Sequence, residues 1–158
     1  MTKNLDKEGL RTIVDNYDLF YIDLWGVIHN GIQLHEQAII VLNELLKMNK
    51  DFVLLTNAPR PNEPVKKFLE KMGLDEIISN HVFTSGEAAL NYLKKFYQSD
   101  KFFHIGPSRD FDLFNNFKNN QSKALSDSQY LLCTGLFNDH DKDLNYYKNL
   151  FEKHIKKK

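Results

Sequence analysis

Two short segments of this 158-residue chain place chemically capable residues directly after apolar runs. In the first, Leu19-Phe20-Tyr21-Ile22 leads into Asp23, followed by Leu24-Trp25-Gly26-Val27. In the second, Phe52-Val53-Leu54-Leu55 leads into Thr56-Asn57, followed by Ala58-Pro59-Arg60. Thr56 lies 33 residues after Asp23, which suits one strand-helix-strand unit and predicts that the two ends are neighbours. In an open α/β sheet, ligands bind outside the carboxyl ends of the strands. An aspartate there can attack phosphorus and form an aspartyl-phosphate that water later hydrolyses. A carboxylate and a phosphate dianion repel, so such chemistry needs a hard cation, and magnesium (Mg2+) fits that need. Thr56 and Asn57 offer a hydroxyl and an amide to phosphate oxygens, and Gly26 lets the backbone come close to a substrate. The same residues also suit a helix cap and a turn, and spacing alone leaves both readings open.

The elements that must position these residues follow from hydrophobic periodicity. The runs before Asp23 and Thr56 predict two buried strands. Between Gln37 and Lys47, apolar Ala38, Ile39, Val41, Leu42, Leu45 and Leu46 recur at helical spacing. Pro64 sits where the first turn of a helix tolerates it, and Gly73 ends the helix that carries Val65, Phe68, Leu69 and Met72. His81 to Thr84 predicts a short strand, and Ser85-Gly86-Glu87 leads a helix with Ala88, Leu90, Leu93 and Phe96. This alternation is that of a parallel sheet with crossover helices. The rhythm restarts near Lys101. Phe102 to Ile105 and Tyr130 to Thr134 read as strands separated by a polar segment, and Leu144 to Ile155 reads as a helix.

Composition narrows the function. Lysine plus arginine and aspartate plus glutamate each count 21, and this zero net charge argues against a nucleic-acid partner. The basic run Lys156-Lys157-Lys158 reads as a solvated chain end. No apolar run approaches the roughly 18 residues of a membrane span, and Met1 to Asp15 lacks the apolar core of a signal peptide. The expected location is the cytoplasm. The single cysteine, Cys133, excludes an internal disulfide and is expected to be a small buried apolar residue.

Tyr21-Ile22-Asp23-Leu24-Trp25-Gly26-Val27-Ile28-His29-Asn30-Gly31 resembles the first motif of the haloacid dehalogenase (HAD) superfamily, and in particular of subfamily IIA. That subfamily includes N-acetylglucosamine-phosphatase-like, pyridoxal-phosphatase-like and nitrophenylphosphatase-like proteins. Leu54-Leu55-Thr56-Asn57-Ala58-Pro59-Arg60 resembles the second motif, and Phe83 to Ala88 the segment before the inserted cap. Phe103-His104-Ile105-Gly106 and Cys133-Thr134-Gly135-Leu136 resemble the opening strands of the cap.

The resemblance implies an α/β fold, a partial Rossmann-like parallel sheet with the beginning of an α/β cap. Residues 1–100 would form the N-terminal part of the hydrolase core and residues 101–158 an incomplete cap. It implies magnesium-dependent hydrolysis of a small phosphorylated metabolite. Asp23 would be nucleophile and metal ligand, and the Trp25 backbone carbonyl a second metal contact. Thr56 and Asn57 would bind phosphate, with Gly26, His29 and Arg60 forming the substrate loop.

The chain departs from the family pattern twice. Where the family has a second aspartate as general acid and base, this chain has Trp25, which cannot transfer a proton. An Asp-x-Trp-Gly branch is the better match, with His29 as the nearest residue able to exchange protons. The third-motif lysine and fourth-motif acidic cluster find no counterpart, so the chain reads as the N-terminal portion of a split or truncated hydrolase. Asp139, Asp141 and Asp143 lack the glycine and closing glutamate of a calcium loop and read as a solvated helix start. An incomplete sheet predicts self-association. The alternative functions are a non-catalytic phosphoryl-ligand-binding remnant and an α/β signalling module phosphorylated on Asp23.

Overall fold

The computed structural model describes residues 5–137 and 142–152. The chain forms two compact units, Met1–Ala58 with Asn62–Thr84, and Pro59–Pro61 with Ser85–Lys158. Each is built around its own small parallel sheet. The fold class is therefore the α/β class the sequence predicts.

The first unit begins with helix α1 (Leu5–Glu8) and two single 3-10 turns. Strand β1 (Leu19–Asp23), helix α2 (Glu36–Lys47), strand β2 (Asp51–Thr56), helix α3 (Asn62–Lys71), helix α4 (Glu76–Ser79) and strand β3 (Val82–Thr84) follow. Helix α2 turns Leu42 and Leu45 into the core. It ends where Asn49 takes a left-handed φ of 51° and the Lys50 amide reaches back to the Leu45 carbonyl at 2.9 Å. Asparagine is among the few non-glycine residues that visit this conformation routinely. Helix α3 stops before Gly73, whose φ is 96°. Asp75 opens α4 by accepting the Ile77 amide on its carboxylate at 2.8 Å.

The strands pair in the order β1-β2-β3, all parallel, with Asp23 opposite Leu55 and Thr56 opposite Thr84. Phe52, Leu54 and Val82 point into a core shared with Leu42, Leu45, Leu69 and Ile78. The two strands expected to be buried throughout are not. Tyr21 is 69% exposed and Leu55 42%, and Leu19 and Phe83 are exposed with them. Successive strand residues face opposite sides, and within this unit the core cluster lies on one side of the sheet only. Continuous apolar runs in the sequence had suggested two covered faces.

The second unit comprises helix α5 (Ser85–Phe96), strand β4 (Phe102–Ile105), a long 3-10 segment (Ser108–Asn120), a 3-10 turn (Leu125–Asp127), strand β5 (Tyr130–Cys133) and helix α6 (Leu144–Glu152). Strands β4 and β5 pair in parallel, Phe102 with Tyr130 through Ile105 with Cys133. The segment read as merely polar is helical in large part and supplies Leu113, Phe114 and Phe117 to a core with Leu90, Leu93 and Phe102. Cys133 is exposed rather than buried, because it shares the outward face of β5 with Leu131. Asp143 caps α6 by accepting the Tyr146 amide at 2.9 Å, as a helix-start residue should. Asp139 and Asp141, and residues 153–155 of the expected helix, lie outside the described residues.

One close approach in this unit depends on a missing side chain. A Cβ added at Gly86, at the start of α5, would lie 2.4 Å from the backbone nitrogen and oxygen of Arg60. Backbone cannot swing aside as a flexible side chain can. Gly86→Ala is therefore expected to destabilise the protein by about 1–3 kcal/mol, the usual range for overpacking. A urea midpoint unchanged from the unsubstituted chain would show that the contact relaxes freely.

Candidate active site

Asp23 is the last residue of β1, and its side chain is exposed. Its carboxylate Oδ1 accepts the amide of the next residue, Leu24, at 2.9 Å. This fixes the carboxylate's orientation, and among the described residues no hydrogen bond reaches Oδ2. Leu24 is 1% exposed and Ile28 1%, so the loop is nailed to the core at both points. Between them, the Gly26 amide donates to the His29 carbonyl at 2.8 Å, with Gly26 at a positive φ of 77°. The Ile28 and His29 amides both return to the Leu24 carbonyl. Trp25, on the turn between, is exposed, and no hydrogen bond reaches its carbonyl among the described residues.

The neighbouring strand ends one residue further on. Because Asp23 sits opposite Leu55, parallel pairing brings Asp23 and Thr56-Asn57 to the same carboxyl edge on adjacent strands. The Thr56 hydroxyl oxygen accepts the Ala58 amide at 3.3 Å, which leaves its O–H to donate elsewhere. Asn57 is exposed. Arg60 belongs to the second unit, where its guanidinium donates to the Arg109 carbonyl at 3.4 Å.

Three residues not singled out from sequence hold these loops. Asn62 accepts the Thr84 amide at 2.9 Å, and Thr84 is fully buried at the end of β3. Asn30 accepts the Ile32 and Gln33 amides on its side-chain oxygen. The Asn30-Gly31 pair was a legible turn signal, whereas nothing in the sequence marked the reach from Asn62 to Thr84.

His29 is 6% exposed, and its Nδ1 accepts the Gly31 amide at 3.0 Å. Its proton therefore resides on Nε2 in the neutral ring. Burial, and then neighbouring His35, hold its pKa below the ordinary imidazole value, while Asp23 pulls the other way. In the second unit His104, 5% exposed, shares a hydrogen bond of 2.8 Å with the Thr134 hydroxyl. Burial lowers its pKa as well, against the raising influence of Asp110.

Both imidazoles bind protons less readily when folded than when unfolded. Stability is thus expected to be full above about pH 6.5, the ordinary imidazole pKa, and to decline as pH falls from there. Urea unfolding at a series of pH values checks this. His104→Gln should flatten the decline, and an unaltered slope would remove His104 from the account.

A family model of haloacid dehalogenase-like hydrolases matches residues 20–118, more than half of the chain. No curated protein sequence matches it. Among solved structures, a haloacid dehalogenase-like hydrolase from Brucella suis 1330 is 26% identical with a TM-score of 0.74, covering 93% of this chain and 53% of that one. A 4-nitrophenylphosphatase from Thermotoga maritima is 21% identical with a TM-score of 0.68, covering 92% and 54%. A p-nitrophenyl phosphatase from Archaeoglobus fulgidus is 13% identical with a TM-score of 0.66, covering 89% and 52%.

The chain belongs to the haloacid dehalogenase-like hydrolases, and it shares its fold with the nitrophenylphosphatase structures. It spans about half the length of the solved structures it matches. Among the described residues, no helix is long and apolar enough to cross a membrane.

Proposed function

We propose that this chain carries the nucleophile and phosphate-binding strands of a magnesium-dependent hydrolase of small phosphate monoesters. The observation that carries the reading is the shared carboxyl edge of β1 and β2, where Asp23 and Thr56-Asn57 stand on adjacent strands. Asp23 Oδ2 attacks phosphorus, the bond from phosphorus to the ester oxygen breaks, and that oxygen leaves with its electron pair. Water then attacks phosphorus, releasing phosphate and returning the Asp23 carboxylate. The Leu24 amide on Oδ1 presents Oδ2 to the substrate. Thr56 and Asn57 donate hydrogen bonds to the phosphate oxygens, which gain charge in the transition state.

The donors present suit magnesium. An exposed carboxylate and the Trp25 carbonyl are hard oxygen ligands, and magnesium characteristically takes one or two carboxylates with water and substrate phosphate. When bound, the ion would offset the repulsion between carboxylate and phosphate. Among the described residues no group of three or more His, Cys, Asp or Glu could hold a metal by itself. Substrate oxygens and water complete the shell in this reading.

Residues 1–100 serve here as the N-terminal part of the core and residues 101–158 as the beginning of a cap. The separate β4-β5 sheet supports a second region, whose compact unit begins already at Ser85 with α5. The exposed face bearing Tyr21 and Leu55 supports self-association of the chain. His29 takes a loop-holding role rather than that of a general base, since Nδ1 is occupied by the Gly31 amide.

A second reading, a phosphoryl-ligand-binding protein without turnover, is favoured by Trp25, which supplies no proton. Assaying the purified chain against a panel of phosphate monoesters, with magnesium and with a chelator, separates the two. Magnesium-dependent release of phosphate supports the hydrolase. Magnesium-dependent binding of inorganic phosphate without release supports the second reading. Neither binding nor release would overturn both.

A further inference from the structure

We infer that the second unit carries an anion-binding cleft in which Lys118, Gln121 and Lys123 receive a phosphate group. The inference goes beyond the hydrolase reading, since none of the residues proposed for that reaction lines this cleft. The cleft has a volume of about 460 Å³ and is lined by Phe103, His104, Lys118, Gln121, Ser122 and Lys123. Sites for small molecules span about 300–1,000 Å³. Its frame is built against β4, which pairs with β5 along one edge. Along the other edge, the chain leaving the 3-10 segment is tied to the first residue of the strand. Phe102 bridges Gln121, and the Ser122 amide and hydroxyl both donate to the Phe102 carbonyl, at 2.8 and 3.0 Å. The Gln121 amide turns back to the Lys118 carbonyl at 3.3 Å. These bonds fix the backbone from Lys118 to Ser122 against β4.

Charge names the ligand. The whole chain balances 21 basic against 21 acidic residues, yet this lining holds two lysines and no carboxylate. Both lysines are exposed, and among the described residues neither ammonium group joins an ion pair or a hydrogen bond. An exposed lysine at the end of a helical segment needs no ligand, because it offsets the dipole there. That account covers Lys118, but Lys123 lies beyond the end of the segment. The Gln121 carboxamide, which makes no hydrogen bond among the described residues, adds a neutral donor. His104 contributes no charge, since its buried ring meets Thr134 at 2.8 Å and Phe114 edge to face at 4.5 Å. Two ammonium groups on one cleft favour a dianion, and lysine binds phosphate as a point charge. Half-buried Phe103 offers an apolar wall to the organic part of a phosphate ester.

The test uses the whole chain, freed of magnesium on a chelating resin so that metal-dependent binding at Asp23 is silent. Glycerol phosphate, inorganic phosphate and uncharged glycerol are titrated at constant ionic strength, and the amide NMR signals of Gln121, Ser122 and Lys123 are followed. Saturable shifts are expected with both anions and none with glycerol. Either anion supports the cleft, and their order of affinity tells whether an ester or the free ion fits it better. Lys118→Gln and Lys123→Gln should each weaken binding about two- to fivefold, the range of exposed ion pairs. The double substitution should weaken it about four- to twenty-fivefold if the two effects add. Both positions are exposed, so the variants are expected to fold as the parent does. Shifts that fail to saturate with either anion, equal shifts with glycerol, or an unchanged affinity in the double variant would overturn the inference.

Discussion

Asp23→Asn is expected to abolish magnesium-dependent phosphate release while leaving the fold intact. The substitution is nearly isosteric, and its side-chain oxygen still accepts the Leu24 amide that Oδ1 accepts now. Asp23 is exposed at the end of β1, so no core packing is disturbed. What changes is chemical. A carboxamide is not a nucleophile toward phosphorus, and it removes the one charged metal ligand the proposed site contains. Removing a catalytic nucleophile from a serine protease costs about 10⁶-fold in kcat, and a loss of at least several orders of magnitude is expected here. The urea midpoint should move little, since surface substitutions away from special features usually lie within about 0.5 kcal/mol. Turnover that persists in Asp23→Asn would remove Asp23 from the nucleophile position.

The largest expected effect on stability lies one strand over. Leu54 is fully buried at the centre of β2, opposite Ile22 on one side and Val82 on the other. Its amide also donates to the His81 carbonyl at 2.9 Å. Leu54→Ala keeps that bond and removes the side chain from the middle of the core it shares with Phe52 and Leu69. Such a deletion costs about 2–5 kcal/mol, transfer and cavity together. Small domains hold only about 5–15 kcal/mol in total. The variant is therefore expected to be far closer to unfolding, with a urea midpoint well below that of the parent. Leu55→Ala on the open face, where the residue is 42% exposed, should cost much less. Equal losses at the two positions would contradict the one-sided burial of this sheet.

The position of the candidate site was legible because chain connectivity enforces it. A strand-helix-strand unit has to return the chain to the same edge, so the 33-residue offset from Asp23 to Thr56 already made neighbours of them. The helices over Glu36–Lys47 and Asn62–Lys71 were legible from apolar spacing, reinforced in the second by Pro64 at its start and Gly73 past its end. The exposed face was not legible. Tyr21 and Leu55 are as apolar as their buried neighbours, and only the arrangement of surrounding elements decides which side is covered. The 3-10 segment over Ser108–Asn120 was hidden because its polar residues outnumber the few that matter, Leu113, Phe114 and Phe117. The resting place of Trp25 against Gly31 could not be read either, since it depends on side-chain direction within an irregular loop.

Turnover by the proposed route requires that Asp23 become phosphorylated. Incubating the chain with magnesium and a reactive phosphoryl donor, then reducing the acyl phosphate with borohydride and mapping peptides by mass spectrometry, tests this directly. Conversion of Asp23 to homoserine, dependent on magnesium and absent from Asp23→Asn, is the predicted result. Phosphate release with no modification at Asp23, or modification at another carboxylate, would contradict it.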